Sequence, residues 1–509
     1  MGIATTRAVS LVGMQGHVVE VQAHLAASVP GFTLVGLPDA ALSESRDRVR
    51  AAVSSSGLAW PVKKITVNLS PASLRKQGSA YDLAIAVAVL AGAEGPSSAG
   101  LRRTGLDQVV HLGELGLDGR LQPVRGVLPA VAAAVAAGYP HVVVAAGDLA
   151  EARLVPGAQV VGAASLAEVV ALHGGPPELV REVVTVQPTR SARSASLPGD
   201  LADVMGQDRP RAALEVAAAG GHHLLLVGPP GAGKTMLASR LPGILPDLTD
   251  REAVEVTAVH SVAGTFDPGG GLMRRPPFED PHHTATQAAV VGGGSGVPRP
   301  GAVSRAHRGV LFLDEAPEFG AKVLETLRQP LEQGELVIHR SGGAARYPAR
   351  FQLVLAANPC PCGLAVGKGL ECTCSPTVRR RYFARLSGPL LDRIDLHLEV
   401  PAVTPQALLG EPDGETSAAV RERVSAVWRR QWQRQGHLNR DLDSRRLAGD
   451  LAPHRAWLAA VMTRLDLSAR ALHRSLRVAR TIADMAGEEH IGRPHLREAL
   501  SYRQNLQRG

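Results

Sequence analysis

The chain has 509 residues, too many for one ordinary domain, and its hydrophobic content of 45% excludes a disordered polymer. The net charge is +8, and residues 421–509 alone carry 18 Arg against 9 acidic residues, a net +9. Such an excess indicates a polyanionic partner, usually nucleic acid, or else a solvated arginine-rich face. The N-terminus has no secretion-signal pattern, and the most apolar stretch is broken by a Gly-Tyr-Pro turn. We therefore expect a cytoplasmic protein without a membrane partner.

Residues 1–175 alternate short strands with helices, a pattern typical of an α/β domain. The predicted strands cover residues 4–12, 17–23, 33–36 and 64–68, and the predicted helices cover residues 40–55 and 81–91. The residues that follow, 176–202, are rich in Pro, Ser, Thr and Arg, which predicts a linker.

A phosphate-binding motif lies near the start of the second α/β segment, residues 203–402. The pattern G-x-x-x-x-G-K-[ST] follows an apolar strand and precedes a helical stretch, which is the context that a nucleotide site requires. Backbone N–H groups and the helix N-terminus then face the phosphates, Lys234 contacts the β- and γ-phosphates, and the Thr235 hydroxyl holds Mg²⁺. The motif residues are Gly228, Pro229, Pro230, Gly231, Ala232, Gly233, Lys234 and Thr235.

Polar residues that follow or flank apolar segments downstream are candidates for catalysis. One apolar strand ends in Asp314, which can orient Mg²⁺, and Glu315, which can polarise the attacking water. Asn358 ends another apolar strand and can bond the γ-phosphate or the water, or simply close a turn. Arg393 can act as an arginine finger on ATP bound by a neighbouring subunit, or pair with an adjacent aspartate.

Four cysteines occur within a short segment, in the pattern C-x-C…C-x-C. They are Cys360, Cys362, Cys372 and Cys374. Four thiolates suit a tetrahedral Zn²⁺, although the one-residue spacing strains chelation by both sulfurs of a pair. Reduced or redox-reactive thiols are the alternative.

Residues 335–350, which lie between Asp314-Glu315 and Asn358, are predicted to form a hairpin that turns at residues 341–343. Arginines there can follow the phosphates of DNA, and a tyrosine can stack on a base, whereas a solvated edge hairpin is the alternative. The candidates for contact with DNA are Arg340, Arg346, Tyr347 and Arg350.

The last part of the chain is predicted to be helical. Residues 403–420 are predicted as a linker, and residues 421–509 as a basic helical lid, because their apolar residues recur with helical spacing below arginine-rich polar faces.

These motifs together resemble the magnesium-chelatase-like branch of the AAA+ ATPases, and within it the YifB/ComM type. The resemblance covers nearly the whole chain. It is carried by Gly206-Gln207, the phosphate loop, Asp314-Glu315, Asn358-Pro-Cys-Pro-Cys-Gly363 and Ser387-Gly-Pro-Leu-Leu-Asp-Arg393.

The family resemblance implies a fold, a set of cofactors and an assembly. The fold is an N-terminal Lon/S5-like α/β domain, a P-loop AAA+ core with a parallel sheet, and a C-terminal helical lid. The assembly is a ring, a homo-hexamer, that hydrolyses ATP with Mg²⁺ at its subunit interfaces. Gln207 then lies at the nucleotide, Arg393 is the finger, and Arg470 is the lid sensor, with Arg474 one helical turn further on as the alternative.

The resemblance also implies a function on DNA. Proteins of the ComM type are associated with branch migration of DNA during natural transformation, which implies a DNA helicase. A chelatase-like ATPase that remodels a protein or a metal-insertion partner is the alternative, followed by an ATP-dependent peptidase. A Lon-type peptidase needs a Ser–Lys dyad, but the matching positions are Ala80 and Leu128. We therefore expect the first domain to serve ring assembly or partner contacts.

Overall fold

The computed structural model describes residues 2–503, except for 38, 40, 41, 43, 75, 77, 95–98, 189–198, 295–297, 341, 342, 366–371, 405 and 407–413. The side chains of residues 340, 343 and 444 are likewise not described. Residues 341 and 342 of the predicted hairpin turn and parts of both predicted linkers lie outside the described residues. Within the part that is described, no helix has both the length and the apolar character needed to cross a membrane.

The N-terminal part is an α/β domain around a mixed seven-stranded sheet, as the alternation of strands and helices predicts. The sheet order is β3-β4-β2-β1-β5-β8-β9, with β2 antiparallel to β1 and β4 and the other neighbouring pairs parallel. Alternate residues of β2 are buried, because a strand sends successive side chains to opposite faces. The strands are β1 (Gly2–Val12), β2 (Gln15–Ala26), β3 (Gly31–Val35), β4 (Lys64–Ser70), β5 (Val109–Leu112), β6 (Glu114–Leu115), β7 (Leu121–Gln122), β8 (His141–Ala145) and β9 (Gln159–Ala163), and the helices are α1 (Ser45–Ser55), α2 (Asp82–Gly92), α3 (Val127–Ala136), α4 (Leu149–Ala152) and α5 (Leu166–Leu172).

The central part contains a five-stranded parallel sheet in the order β11-β14-β17-β10-β18. Its inner strands are continuous apolar runs, because helices cover both faces of a parallel sheet. The strands are β10 (Leu224–Val227), β11 (Phe278–Glu279), β12 (Gly292–Gly293), β13 (Arg299–Pro300), β14 (Val310–Leu313), β15 (Glu335–Arg340), β16 (Gly343–Pro348), β17 (Gln352–Ala357) and β18 (Leu396–Glu399). The helices are α6 (Asp208–Gly220), α7 (Lys234–Ile244), α8 (Asp250–Ala263), α9 (Gln287–Val290), α10 (Ala302–Arg305), α11 (Ala321–Thr326), α12 (Arg328–Gln333), α13 (Pro376–Ala384) and α14 (Gly388–Leu391).

The C-terminal part is helical, as predicted, but its first helix begins inside the predicted linker 403–420. Thr416 caps that helix by accepting a hydrogen bond from the backbone N–H of Ala419. The helices are α15 (Ser417–Gln435), α16 (Ala448–Leu451), α17 (Arg455–Leu465), α18 (Ala469–Met485) and α19 (Arg493–Ser501). Apolar side chains of α15 and α18 pack with those of α6 and α7 in one continuous core. The lid and the nucleotide-binding sheet are therefore built as one body.

The N-terminal domain packs against the central part in two places. Helix α3 lies on α8, where the Ser261 hydroxyl donates to the Glu151 carboxylate. The turn between β1 and β2 touches β16: a Cβ on Gly13 would lie 2.7 Å from the Arg346 carbonyl oxygen. With its φ of 63°, Gly13 is required both by conformation and by this close approach.

Candidate active site

The phosphate-binding loop connects β10 to α7 at the carboxyl edge of the parallel sheet. Gly231 and Gly233 have φ values of 75° and 87°, in the left-handed region that glycine adopts without steric cost. A Cβ on Gly228 would lie 2.2 Å from the Val400 carbonyl oxygen, so the loop can run this close to the end of β18 only with glycine there. Helix α7 begins at Lys234, and the N–H groups of its first turn point towards the space above the loop, where they can bind phosphate.

Lys234 joins the loop to the end of β17. Its Nζ donates to the carbonyl oxygens of Gly228 and Pro229, at 2.7 and 2.9 Å, and to Asn358 Oδ1 at 3.1 Å. Burial lowers the pKa of Lys234, and the nearby carboxylates of Asp314 and Glu315 oppose that effect. The structure thus brings Asn358 to the phosphate-binding lysine.

Thr235 and Asp314 form the second pair at this edge. The Thr235 hydroxyl donates to Asp314 Oδ2 at 2.7 Å. Hydroxyl and carboxylate oxygens are the ligands that Mg²⁺ takes in nucleotide sites, so these residues fit a Mg²⁺-bound nucleotide. Glu315 comes next, with a φ of 49°, and its backbone N–H donates to Asp314 Oδ1. A non-glycine residue in this conformation at the end of a buried strand is a feature of functional sites.

His283 is a neighbour of Glu315 that the sequence did not reveal. Its Nδ1 lies 3.2 Å from Glu315 Oε2, and both side chains are partly exposed. The histidine follows β11, and β11 pairs with β14, so the carboxyl ends of the two strands meet at one edge. The position of His283 beside Glu315 depends on that strand pairing. An irregular loop has no sequence periodicity from which the position could be predicted.

Gln207 is buried behind the phosphate loop. Its Nε2 donates to the carbonyl oxygens of Ala232 and Pro401, at 3.2 and 2.9 Å. Among the described residues its Oε1 has no hydrogen-bond partner. The side chain braces the loop against the end of β18 and leaves one acceptor available beside the site.

The candidate finger and sensor arginines lie together at the opposite edge of the sheet. Arg393 precedes β18 and pairs with Glu332, and burial followed by the nearby charges of Arg328, Arg474 and Arg470 lowers its pKa. Because the phosphate loop lies beyond the carboxyl end of the same strand, Arg393 is separated from the nucleotide site of its own chain. Its proposed role as a finger for a neighbouring subunit stays a prediction.

The two alternatives for the lid sensor occupy different environments. The Arg470 side chain is 77% exposed, and its Nη1 lies 4.0 Å from Asp392 Oδ2. Arg474 donates to Asp395 Oδ1 at 2.8 Å and is largely buried. Burial acts to raise the pKa of Asp395, but the His222 ring, 3.7 Å away, and the charge of Arg474 hold that pKa well below the usual range. Arg474 therefore stabilises the start of β18, whereas Arg470 is available to a ligand.

In the hairpin formed by β15 and β16, the position of Tyr347 contradicts its predicted contact with DNA. Tyr347 is only 1% exposed, and its hydroxyl donates to the Pro298 carbonyl oxygen, so its ring cannot stack on a base. The strand alternation places Arg346 on the other face, 65% exposed and 3.0 Å from Glu335. Arg350 follows the hairpin and is exposed, while the side chain of Arg340 lies outside the described residues.

The four cysteines come together beside the phosphate loop. The Sγ atoms of Cys360, Cys362, Cys372 and Cys374 all lie within 4.8 Å of one another, and all four residues are free thiols. The one-residue spacing therefore allows both sulfurs of each pair to join the group.

A phosphate loop, a strand-end Asp-Glu pair and a five-stranded parallel sheet joined to a helical lid define an AAA+-type ATPase. The family descriptions that match are "Magnesium chelatase, subunit ChlI" over residues 200–408, "Subunit ChlI of Mg-chelatase" over residues 20–148, and "Magnesium chelatase, subunit ChlI C-terminal" over residues 414–503. The chain belongs to this magnesium-chelatase-like family, whose membership implies an ATPase that uses ATP and Mg²⁺.

Relatives in the same family match along the full length. The chain is 48% identical to an uncharacterized protein of Mycobacterium tuberculosis, over 99% of both chains. It is 44% identical to the competence protein ComM of Haemophilus influenzae, over 99% of this chain and 98% of that one. It is also 44% identical to the protein YifB of Escherichia coli, over 99% and 97% respectively. These matches identify the chain as a member of the YifB/ComM type, as the sequence motifs predict.

Proposed function

We propose that the chain is an ATP-dependent ring motor that acts on DNA, and specifically a branch-migration helicase for the recombination of incoming DNA during natural transformation. The observation that carries this proposal is the full-length similarity to a competence protein, at 44% identity, in a chain with an assembled hydrolysis site. We place this activity in the cytoplasm.

The hydrolysis step follows from the positions of the side chains at the carboxyl edge of the sheet. Bound ATP and Mg²⁺ supply the phosphoryl group and the charge that neutralises it. The loop N–H groups and Lys234 would bind the phosphates, and Thr235 and Asp314 would hold the metal. Glu315 accepts a proton from the attacking water, and Asn358 orients that water.

The arginines at the amino edge support a ring. In our proposal Arg393 and the exposed Arg470 of one subunit reach the nucleotide of the next, so that hydrolysis requires both. A head-to-tail contact of this kind closes into a ring when its rotation permits, and we propose a homo-hexamer.

The DNA-binding part of the proposal rests on exposed arginines. Arg346 and Arg350 carry exposed positive charge on and beside the hairpin, and each can contact a phosphate. The lid contributes less than its net charge of +9 suggests, because several of its arginines bind inside the lid. Arg434 and Arg480, for example, both pair with the buried Asp484.

The rival proposal is a chelatase-like ATPase that remodels a protein or inserts a metal. The names of the matching family descriptions favour it. A peptidase is disfavoured because Leu128 is buried in α3 and Ser79 donates to Glu114. We propose instead that the N-terminal domain transmits or organises contacts within the ring.

One set of assays separates these functions. ATP hydrolysis is measured alone, with single-stranded DNA and with a four-way junction, and junction movement is followed by gel electrophoresis. We expect DNA to stimulate hydrolysis, and we expect Glu315→Gln to bind DNA and ATP while hydrolysing about 10²–10⁴ times more slowly. A purified chain that hydrolyses ATP but neither binds nor moves the junction at moderate salt would exclude the helicase.

A further inference from the structure

The four cysteine thiols form a compact set of sulfur atoms next to the nucleotide site. Cys360 Sγ lies 3.2 Å from Cys362 Sγ and 3.6 Å from Cys372 Sγ, and the sulfurs of Cys362 and Cys372 are 3.7 Å apart. Cys374 Sγ completes the group within 4.8 Å of the others. These atoms come from two chain segments, one before and one after residues 366–371.

The spacing of the sulfurs fits one tetrahedral metal ion. With a Zn–S distance of about 2.3 Å, the sulfurs of a ZnS₄ site lie about 3.8 Å apart. Two of the measured distances, 3.6 and 3.7 Å, are close to that value, and the third, 3.2 Å, is shorter. A set within 4.8 Å has room for one ion at its centre and is too small to surround a cluster of several irons. Because all four positions are protein ligands, the site is closed and its role is structural.

The first pair of cysteines folds onto the phosphate loop. The Gly363 N–H donates to the Cys360 carbonyl oxygen at 3.0 Å and closes a tight turn, in which Gly363 has a φ of 79°. A Cβ on Gly363 would lie 2.6 Å from Pro230 Cδ, so this turn is pressed against the phosphate loop. Asn358, the partner of Lys234, lies two residues before Cys360. The cysteine turn is thus linked to the nucleotide site in two ways, by its contact with Pro230 and by the chain connection to Asn358.

The second pair of cysteines leads into α13, which returns to the same asparagine. Ser375 caps α13, and Arg379 in its first turn donates to the Cys374 carbonyl oxygen at 3.2 Å. That places a positive charge beside a metal–thiolate group with a net charge of −2. Further along α13, the buried Tyr382 hydroxyl meets the backbone N–H of Asn358. Helix α13 therefore leads from the second cysteine pair back to Asn358.

We infer that Cys360, Cys362, Cys372 and Cys374 bind one structural Zn²⁺, which holds the Asn358 loop against the phosphate loop. The metal touches neither ATP nor the attacking water. It sets the position of Asn358 and Pro230, so its loss weakens nucleotide binding from outside the site.

The metal content of the purified full-length chain tests this directly. The protein is prepared without added metal, and zinc and iron are measured by mass spectrometry. We expect about one zinc per chain, as four-thiolate sites bind a single ion. Cys372→Ser is expected to weaken zinc binding at least about tenfold, since removing even the outer partners of metal ligands costs about 10–100-fold in affinity, and to lose its zinc to a chelator that leaves the wild type loaded. Leu364→Ser, an exposed residue of the same loop, is the matched control and keeps its zinc.

Wild-type protein provides a second readout that does not depend on a cysteine variant folding. A mercurial reagent is added stepwise while a chromogenic chelator records released zinc, and release is expected only as the four thiols react. Replacement by Co²⁺ is expected to give the intense ligand-field absorption of tetrahedral thiolate coordination. Native chain that is metal-free with four freely reactive thiols, or that contains iron, would overturn the assignment.

The effect on the nucleotide is tested separately, by titrating a fluorescent ATP analogue. We expect Cys372→Ser to bind it several-fold more weakly than Leu364→Ser does, with a larger change in KM for ATP than in kcat. Unchanged affinity in a variant that has lost its zinc would overturn the proposed link to the phosphate loop. Because zinc content requires neither DNA nor hydrolysis, this result is independent of the helicase proposal.

Discussion

Two individually inactive variants should restore each other's activity if Arg393 serves a neighbouring subunit. Arg393 precedes β18, which is four residues long, and the phosphate loop lies beyond the other end of that strand. At about 3.3 Å per residue, roughly 13 Å of strand separates the two. Arg393→Ala therefore removes a contact made to another chain, whereas Glu315→Gln damages the site of its own chain.

The expected rates follow from the geometry of a ring. An arginine finger contributes about 10³–10⁵ to kcat, or about 4–7 kcal/mol, so Arg393→Ala alone is expected to be nearly inactive. In an equal mixture, an interface works only when a chain with intact Glu315 receives Arg393 from an intact neighbour. Each condition is met half of the time, so roughly a quarter of head-to-tail interfaces are complete. The mixture is expected to recover about that fraction of the wild-type rate.

Steady-state ATP hydrolysis provides the assay, with the variants mixed before ATP is added and the ratio varied around equality. Lys234→Ala mixed with Glu315→Gln is the matched control, because both defects lie in the same site and Arg393 is intact in every chain. Every chain in this mixture lacks a working site of its own, so no interface is complete. We therefore expect the control to stay inactive. An Arg393→Ala mixture no more active than its parts would refute action between subunits.

Four further changes have defined outcomes. His283→Ala frees the Glu315 carboxylate and should raise ATP hydrolysis in the absence of DNA by up to about fivefold, measured in a coupled ATPase assay. That factor corresponds to the free energy of a partly exposed ion pair. Tyr347→Phe should cost about 1 kcal/mol of unfolding free energy in denaturant titrations and leave DNA affinity unchanged. Arg346→Ala should weaken DNA binding and lower its logarithmic salt dependence by about one, measured by fluorescence anisotropy. Asp484→Ala removes the buried carboxylate that Arg434 and Arg480 share and should cost about 3–5 kcal/mol, seen as a lower midpoint in denaturant unfolding.

The sequence predicted those parts of the site that depend on local pattern. The phosphate loop combines glycine conformation with a strand before it and a helix after it, and Asp314 ends a buried apolar run. Both signals are contained within about ten residues. The parallel sheet then brings Asn358 to Lys234, because the carboxyl ends of its strands share one edge.

The remaining features depend on contacts between distant segments. Tyr347 is buried because one face of β16 packs on the core. Successive side chains of a strand point to opposite faces, so the sequence could have shown that Tyr347 and the exposed Arg346 lie on different faces. Arg470 and Arg474 differ in their partners, and those partners precede β18 far away in the chain. His283 lies beside Glu315 only because β11 joins β14. Such pairings follow from tertiary packing, on which a single sequence carries little information.

The shared core of the lid and the nucleotide-binding sheet has a mechanical consequence. Side chains of α15 and α18 fill the same close-packed interior as those of α6 and α7, and close-packed interiors transmit displacement with little compression. The lid and the sheet of each subunit in the proposed ring are therefore expected to move together as one rigid body. Movement that follows hydrolysis is then expected at the interfaces between the proposed subunits, and the contact of the β1–β2 turn with β16 links it to the N-terminal domain.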